Sequence, residues 1–380
     1  MAQTMADLER PLSRGLMDRA SLARIPLSGT FELTPMCNFS CRMCYIRQTA
    51  EQVRAHDRPQ WTLEQWLRTA EEAREIGMLY LLITGGEPLT WPDFWPLYEA
   101  LSRMGFVISI NTNGSIIDEA AAKKFAKIPP QRLNITLYGA GNDTYSRLCA
   151  ASRGFDRVDR ALTLLREQGV PVKLNCSLTP DNAADLEAMV AYAKDRGLPL
   201  SVTTYMFPPV RRDPEGREPE ARFSPEDAAR YHLLTYHLQS GERAYLNYLD
   251  RLVRGVVEPL GLDESCVDPV DGKVRCRAGS AAFWISWDGW LTACGMMPEP
   301  RVDLNGADFS EAWSRVTEQA QALRLSGLCR DCFNRGLCHT CAAAALAETG
   351  SAAGVPQYLC RMVRHMRRLA EAELGAACPG

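Results

Sequence analysis

Met78-Leu-Tyr-Leu-Leu-Ile-Thr-Gly-Gly-Glu-Pro88 is an unbroken apolar run that ends abruptly in two glycines, a carboxylate and a proline. Such a run suits a strand covered on both faces in a parallel sheet, and the glycines at its end mark a loop where backbone approaches something closely. Upstream, Thr62 and Gln65 read as a capping box opening a helix that Gly77 closes, and Gly29 to Thr34 alternates as a strand. Downstream the alternation continues. Helices are expected at Phe94 to Met104, Asp118 to Lys127, Phe155 to Gln168 and Ala183 to Arg196. Strands are expected at Val107 to Ile110, Leu133 to Leu137, Val172 to Ser177 and Leu200 to Thr204. Six strands with about five helices between them predict an α/β fold, a partial (β/α)6 TIM-like barrel with its site at the C-terminal edge of the strands.

That edge carries the chemistry. The first strand runs into Thr34-Pro-Met-Cys-Asn-Phe-Ser-Cys-Arg-Met-Cys-Tyr45, where Cys37, Cys41 and Cys44 place three thiols within eight residues. Three thiolates hold three irons of a cubane, and with no fourth cysteine nearby one iron is left open to an exogenous ligand. The alternatives are a zinc site, which normally wants four ligands and finds no partner at finger spacing, and disulfides, which a reducing compartment disfavours. Gly85, Gly86 and Glu87 follow the second strand, and Asn111-Thr-Asn-Gly114 follows the third. Each tetrapeptide alone is equally an ordinary turn or polar strand end.

Composition bounds the rest. In 380 residues, 43 basic and 46 acidic side chains leave a net charge of −3, which calls for neither nucleic acid nor membrane. No eighteen-residue apolar run and no signal core is present, so the expected location is cytoplasmic. Of 14 cysteines, Cys149 and Cys176 stand isolated and read as buried small hydrophobes, while nine fall between Cys266 and Cys378. Residues 1–28 read as an N-terminal extension with a short helix at Leu16 to Leu27, 29–207 as the barrel, 208–263 as a linker with bridging helices, and 264–380 as a cysteine-rich domain. The charged, proline-rich stretch Pro208 to Pro225 has the character of a long loop, placed to cover the barrel mouth.

At Cys37, Cys41 and Cys44 the sequence resembles the radical S-adenosylmethionine (SAM) superfamily, whose motif is this Cys-x3-Cys-x2-Cys spacing with bulky neighbours, here Met43 and Tyr45. The resemblance implies a [4Fe-4S] cluster whose open iron takes SAM. It implies Gly85, Gly86 and Glu87 as the loop for the methionine amino group, and Asn111, Asn113 and Thr136 beside the ribose. Arg153 is either a holder of the cofactor carboxylate or an exposed arginine. The C-terminal pattern Cys276, Gly289, Cys294, Cys329-x2-Cys332-x5-Cys338-x2-Cys341 and Cys360 resembles the SPASM extension, with two residues before Cys341 where three are usual. By that resemblance Cys266, Cys276, Cys294 and Cys341 hold one auxiliary [4Fe-4S] cluster, and Cys329, Cys332, Cys338 and Cys360 a second. A pair of zinc ribbons is the competing reading.

The implied activity is reductive cleavage of SAM to a 5′-deoxyadenosyl radical that abstracts hydrogen from a ribosomally made peptide or small protein, with cross-linking, oxidation or epimerisation as outcome. A reductant such as flavodoxin or ferredoxin, and a separate precursor-recognition protein, are the implied partners. Gly295 and Met296 follow Cys294 where sulfatase maturases carry an acid, which counts against formylglycine formation. The alternatives are a radical SAM enzyme for a small molecule such as a tetrapyrrole, an alcohol or a cofactor precursor, and an iron-sulfur electron carrier. The aromatic stretch Phe283 to Trp290 reads as a hairpin turning at Asp288-Gly289. No catalytic acid or base follows from spacing.

Overall fold

The computed structural model describes residues 11–208, 211, 222–255, 276–338 and 340–377. Cys266, His339, Cys378 and most of Pro208 to Pro225 lie outside the described residues. Six parallel strands, β1 (Ser28–Glu32), β2 (Tyr80–Thr84), β3 (Val107–Thr112), β4 (Arg132–Thr136), β5 (Val172–Ser177) and β6 (Leu200–Thr203), lie side by side in sequence order. This is the partial barrel of an α/β protein.

The segments between strands supply the outer layer. Before β1, α1 (Pro11–Ala23) packs Met17 and Ala20 with Leu27 against Ala281. Between β1 and β2 lie a short α2 (Ala50–Ala55) and then α3 (Leu63–Glu75), whose Thr62 and Gln65 form the anticipated capping box. Next come α4 (Phe94–Arg103), α5 (Glu119–Lys127), α6 (Asn142–Cys149), α7 (Gly154–Glu167) and α8 (Leu186–Asp195). Helix α6 replaces what reads as loop. Its eight residues carry one short buried stripe (Thr144, Tyr145, Leu148, Cys149), and Ala150 in the left-handed region (φ 52°) ends it.

Each strand presents one apolar side outward. Phe31, Leu81, Ile83, Ile108, Ile110, Leu133, Ile135 and Leu174 are all buried in one core with the helices. Trp66 of α3 packs at a tilt against Phe31 at 4.8 Å between centroids and edge-to-face against Trp61 at 4.9 Å. Burying one such indole fully contributes about 3 kcal/mol. The alternate positions face the lumen and are mostly polar, as strand periodicity requires.

The C-terminal part continues the same sheet. After α9 (Pro225–Ser240) and α10 (Glu242–Arg254), β7 (Ala282–Ile285) pairs parallel to β1 with Ser28 opposite Ala282, and β8 (Trp290–Thr292) and β9 (Arg301–Asp303) follow antiparallel. The hairpin turns at Gly289 (φ 88°), whose Cα lies against the Trp61 indole with no room for a side chain. Helices α11 (Phe309–Ala322), α12 (Gly327–Arg330), α13 (Ala342–Thr349) and α14 (Gln357–Ala377) complete the chain, and α14 packs along α9 and α10. Long-range bonds stitch the two halves: Arg58 forks onto Asp303 at 2.7 and 2.6 Å, and Trp61 donates to Asn305 at 3.0 Å.

Candidate radical SAM site

The cysteine loop leaves β1 and is held at both flanks. Ser40 N–H donates to the Cys149 carbonyl at 2.9 Å, Arg42 N–H to the Leu148 carbonyl at 3.1 Å, and Gln48 N–H to the Pro35 carbonyl at 3.0 Å. Within the loop the Cys37 sulfur accepts from Phe39 N–H and the Cys44 sulfur from Arg47 N–H, each at 3.3 Å. Backbone donors of this kind stabilise thiolates. Burial nevertheless pushes the Cys37 thiol up to about 12, so the free loop holds a protonated thiol there. The Cys149 and Cys41 thiols face each other, and their interaction lowers Cys41 and raises Cys149. The isolated Cys149 is thus a neighbour of the motif, a proximity that only the α6 turn creates. Tyr138 lies near the same thiols, and burial first and then their charges push its hydroxyl up.

The two glycines explain how the next loop reaches the first. Gly86 N–H donates to the Thr34 carbonyl at 2.7 Å and Glu87 N–H to the Met36 carbonyl at 2.9 Å. A Cβ on Gly85 would lie 2.6 Å from the Thr34 carbonyl oxygen, and one on Gly86 would strike the Met36 carbonyl. Only glycine permits that approach. Glu87, with no exposed surface, sends its carboxylate to the third loop: it accepts from Thr112 Oγ1 (2.8 and 3.0 Å), Asn113 N–H (2.7 Å) and Leu89 N–H (3.1 Å). Burial lifts its pKa to about 7 against the pull of those donors. Asn113 Nδ2 then reaches Asn38 Oδ1 at 2.9 Å and the Cys37 sulfur at 3.7 Å. Cysteine loop, Gly-Gly-Glu loop and Asn-Thr-Asn-Gly loop form one connected edge.

The remaining candidates divide. Met43 is buried in the loop, and Tyr45 lies beneath Arg211, whose guanidinium carbon is 5.7 Å from its ring. Asn111 and Thr136 face the lumen, Asn111 accepting from Asn134 Nδ2 at 2.9 Å. Arg153 is placed apart, 79% exposed at the start of α7 with Asp156 at 3.5 Å. Arg211 also reaches this edge, a position that its charged surroundings in sequence conceal. It forks onto Glu32 Oε1 and Oε2 at 2.7 and 2.8 Å and donates to the Gly295 carbonyl at 3.1 Å. Trp284 Nε1–H donates to the same carboxylate at 3.0 Å. Burial depresses the Arg211 guanidinium, and the Glu32 charge more than restores it.

The C-terminal cysteines sort into two groups. Cys276, Cys294 and Cys341 line one apolar cavity with Ala293, Met297 and Leu323, and each sulfur accepts a backbone N–H at 3.4 Å, from Ala278, Met296 and Ala344 respectively. Cys329, Cys332, Cys338 and Cys360 form the other: burial raises Cys329 and Cys360, and the neighbouring thiols of the group raise them further. Among the described residues no three thiol, imidazole or carboxyl groups converge tightly enough for a single metal ion. Both donor sets consist of thiols, the ligands that iron-sulfur clusters take.

Comparison with known proteins agrees with this geometry. Residues 31–193 match the Radical SAM superfamily, and that part of the chain is a radical SAM domain. The chain thus carries a radical SAM enzyme domain. It is similar to the AdoMet-dependent heme synthase of Methanosarcina barkeri, 25% identical over 82% of this chain and 90% of that protein. It is likewise similar to mycofactocin maturase MftC of Mycobacterium tuberculosis, 25% identical over 81% of this chain and 75% of the relative. Among solved structures, Streptococcus suis SuiB bound to precursor peptide SuiA superposes with a TM-score of 0.66 at 18% identity, covering 93% of this chain and 82% of SuiB. No described helix is long and apolar enough to cross a membrane.

Proposed function

We propose that this enzyme modifies a ribosomally made peptide or small protein by hydrogen abstraction. The observation that carries the reading is the connected edge in which Gly85 and Gly86 bring the second loop against the three-cysteine loop. When bound, the [4Fe-4S] cluster and SAM supply a hydrogen-abstracting radical. The chain's own residues do the rest. Cys37, Cys41 and Cys44 ligate three irons; the Gly85 to Glu87 backbone and Met43, Tyr45, Asn111, Asn113 and Thr136 orient SAM; the lumen keeps the target C–H in line. Cys276, Cys294 and Cys341 with Cys266 hold one auxiliary cluster, and Cys329, Cys332, Cys338 and Cys360 a second. A flavodoxin or ferredoxin delivers electrons in the cytoplasm, and a separate protein presents the precursor.

Maturases among the relatives support the peptide reading. The similarity to a heme synthase over 90% of that protein favours a second one, a tetrapyrrole-like small molecule. The test is iron and sulfide analysis of anaerobically reconstituted protein with 5′-deoxyadenosine assayed in parallel. About twelve irons falling to about eight in the Cys37/Cys41/Cys44→Ala variant, with cleavage abolished, is the expected result. Cleavage that survives in the triple variant would sink the reading.

A further inference from the structure

Along the lumen the strands offer an unbalanced set of charges. Alternation places Arg132, Asn134 and Thr136 of β4 and Lys173 and Asn175 of β5 on the lumen side, opposite in direction from the core residues Leu133, Ile135 and Leu174. Register sets Lys173 beside Asn134, and Asn175 beside Thr136. The lumen-facing positions of β1 to β6 hold a single carboxylate, Glu32, and Arg211 already occupies it bidentately. Among the described residues no acid pairs with Arg132 or Lys173. Arg132 spends only Nε, on Asn134 Oδ1 at 2.9 Å. Lys173 is 5% exposed, and its ammonium has no hydrogen-bond or ion-pair partner among the described residues. A buried cation without a partner weighs against folding, and such groups persist where a ligand completes them.

On the reading that the lumen receives the substrate, we propose that Lys173 and Arg132, with Thr136 and Asn175 above them, form a subsite for a carboxylate carried by that substrate. A carboxylate is favoured over a phosphate because helix N-termini, the usual source of phosphate-binding N–H groups, follow the opposite, C-terminal edge of these strands. From Lys173 to the end of β5 at Ser177 is about 13 Å of strand. The subsite anchors the carboxylate deep in the barrel and leaves the reacting C–H to extend towards the cysteine loop.

The test is calorimetric titration of the anaerobically reconstituted enzyme with succinate, with N-acetylglutamate methylamide as a peptide-like carboxylate, and with succinamide. Saturable binding of a carboxylate probe, weakened at least tenfold in K173M and R132M, partly restored in K173R and absent for succinamide, is expected. The tighter of the two acids marks the source as peptide side chain or small molecule. Iron content equal to wild type certifies each variant as folded. Wild-type affinity in folded K173M, or no saturable binding of either acid to the wild type, overturns the proposal. Because binding is read without turnover, a wild type that fails to cleave SAM would sink the proposed function and leave this result standing.

Discussion

Replacing Arg211 by methionine isolates the contribution of one ion pair that ties four parts of the molecule together. The variant keeps an apolar stem over Tyr45 but strips the Glu32 carboxylate, which has no exposed surface, of its two shortest bonds. Glu32 then retains the Trp284 indole donor at 3.0 Å. Removing one partner of a buried pair costs about 3–5 kcal/mol, because the other charge is left unmatched. Arg211 keeps 21% of its side chain exposed, so water relieves part of this; about 2–4 kcal/mol is expected. For a chain of 380 residues that corresponds to a fall in Tm of about 3–5 °C. Scanning calorimetry of the reconstituted enzyme at one fixed scan rate measures it. The double variant E32Q/R211M removes both charges and should recover more than half of the loss, a coupling of about 1–3 kcal/mol. An R211M transition within about 1 °C of wild type, or strictly additive losses in the double variant, would refute the argument.

Gly86→Ala places a methyl group against the Met36 backbone carbonyl, which cannot rotate away, so iron analysis should show about four irons lost; Gly141→Ala, with nothing within 4 Å, should keep its iron. Glu87→Gln is not conservative, since Oε1 and Oε2 each accept a backbone N–H, from Leu89 and Asn113, and an amide nitrogen must face one of them. A loss of about 1–3 kcal/mol in denaturant titration at pH 8 is expected, and an unchanged midpoint would contradict the geometry. Lys173 is held down at about 8, by burial first and then by Arg132, below its ordinary 10.5. Between those values the Lys173 site binds more protons in the unfolded chain than in the native one, so its own contribution to stability rises with pH across this window. K173M should be more stable than wild type at pH 7 by about 1–3 kcal/mol in the absence of substrate, a difference that closes as pH rises from about 8 to 10.5; a less stable K173M would show that the charge is compensated after all.

The strands were legible because their outer faces are nearly uniform: Val172 to Ser177 coincides with β5, and the Met78 to Ile83 run lands on β2 with a two-residue offset at its start. Short helices were not. Helices α2 and α6 span six and eight residues with little apolar period, too brief to stand out from loop. The cysteine and glycine motifs announced the site because their spacing is local. Glu32 with Arg211, and Cys41 with Cys149, escaped notice because each pair is joined only through the folded barrel or the α6 turn. Lys173 read as one residue of an ordinary strand; its significance lies in the absence of an acid on four neighbouring strands, which no local window contains.

The pairing of β7 with β1 decides which strands are left with unpaired backbone. In the nine-stranded order the free margins are β6 and β9, and β1, which carries the cysteine loop, is an interior strand. Cutting the chain after α10 would turn β1 into a raw edge of five residues whose N–H and C=O groups invite another chain to pair. The C-terminal segment is in this sense a splint for the strand that bears the iron site, and the barrel half expressed alone should self-associate through β1.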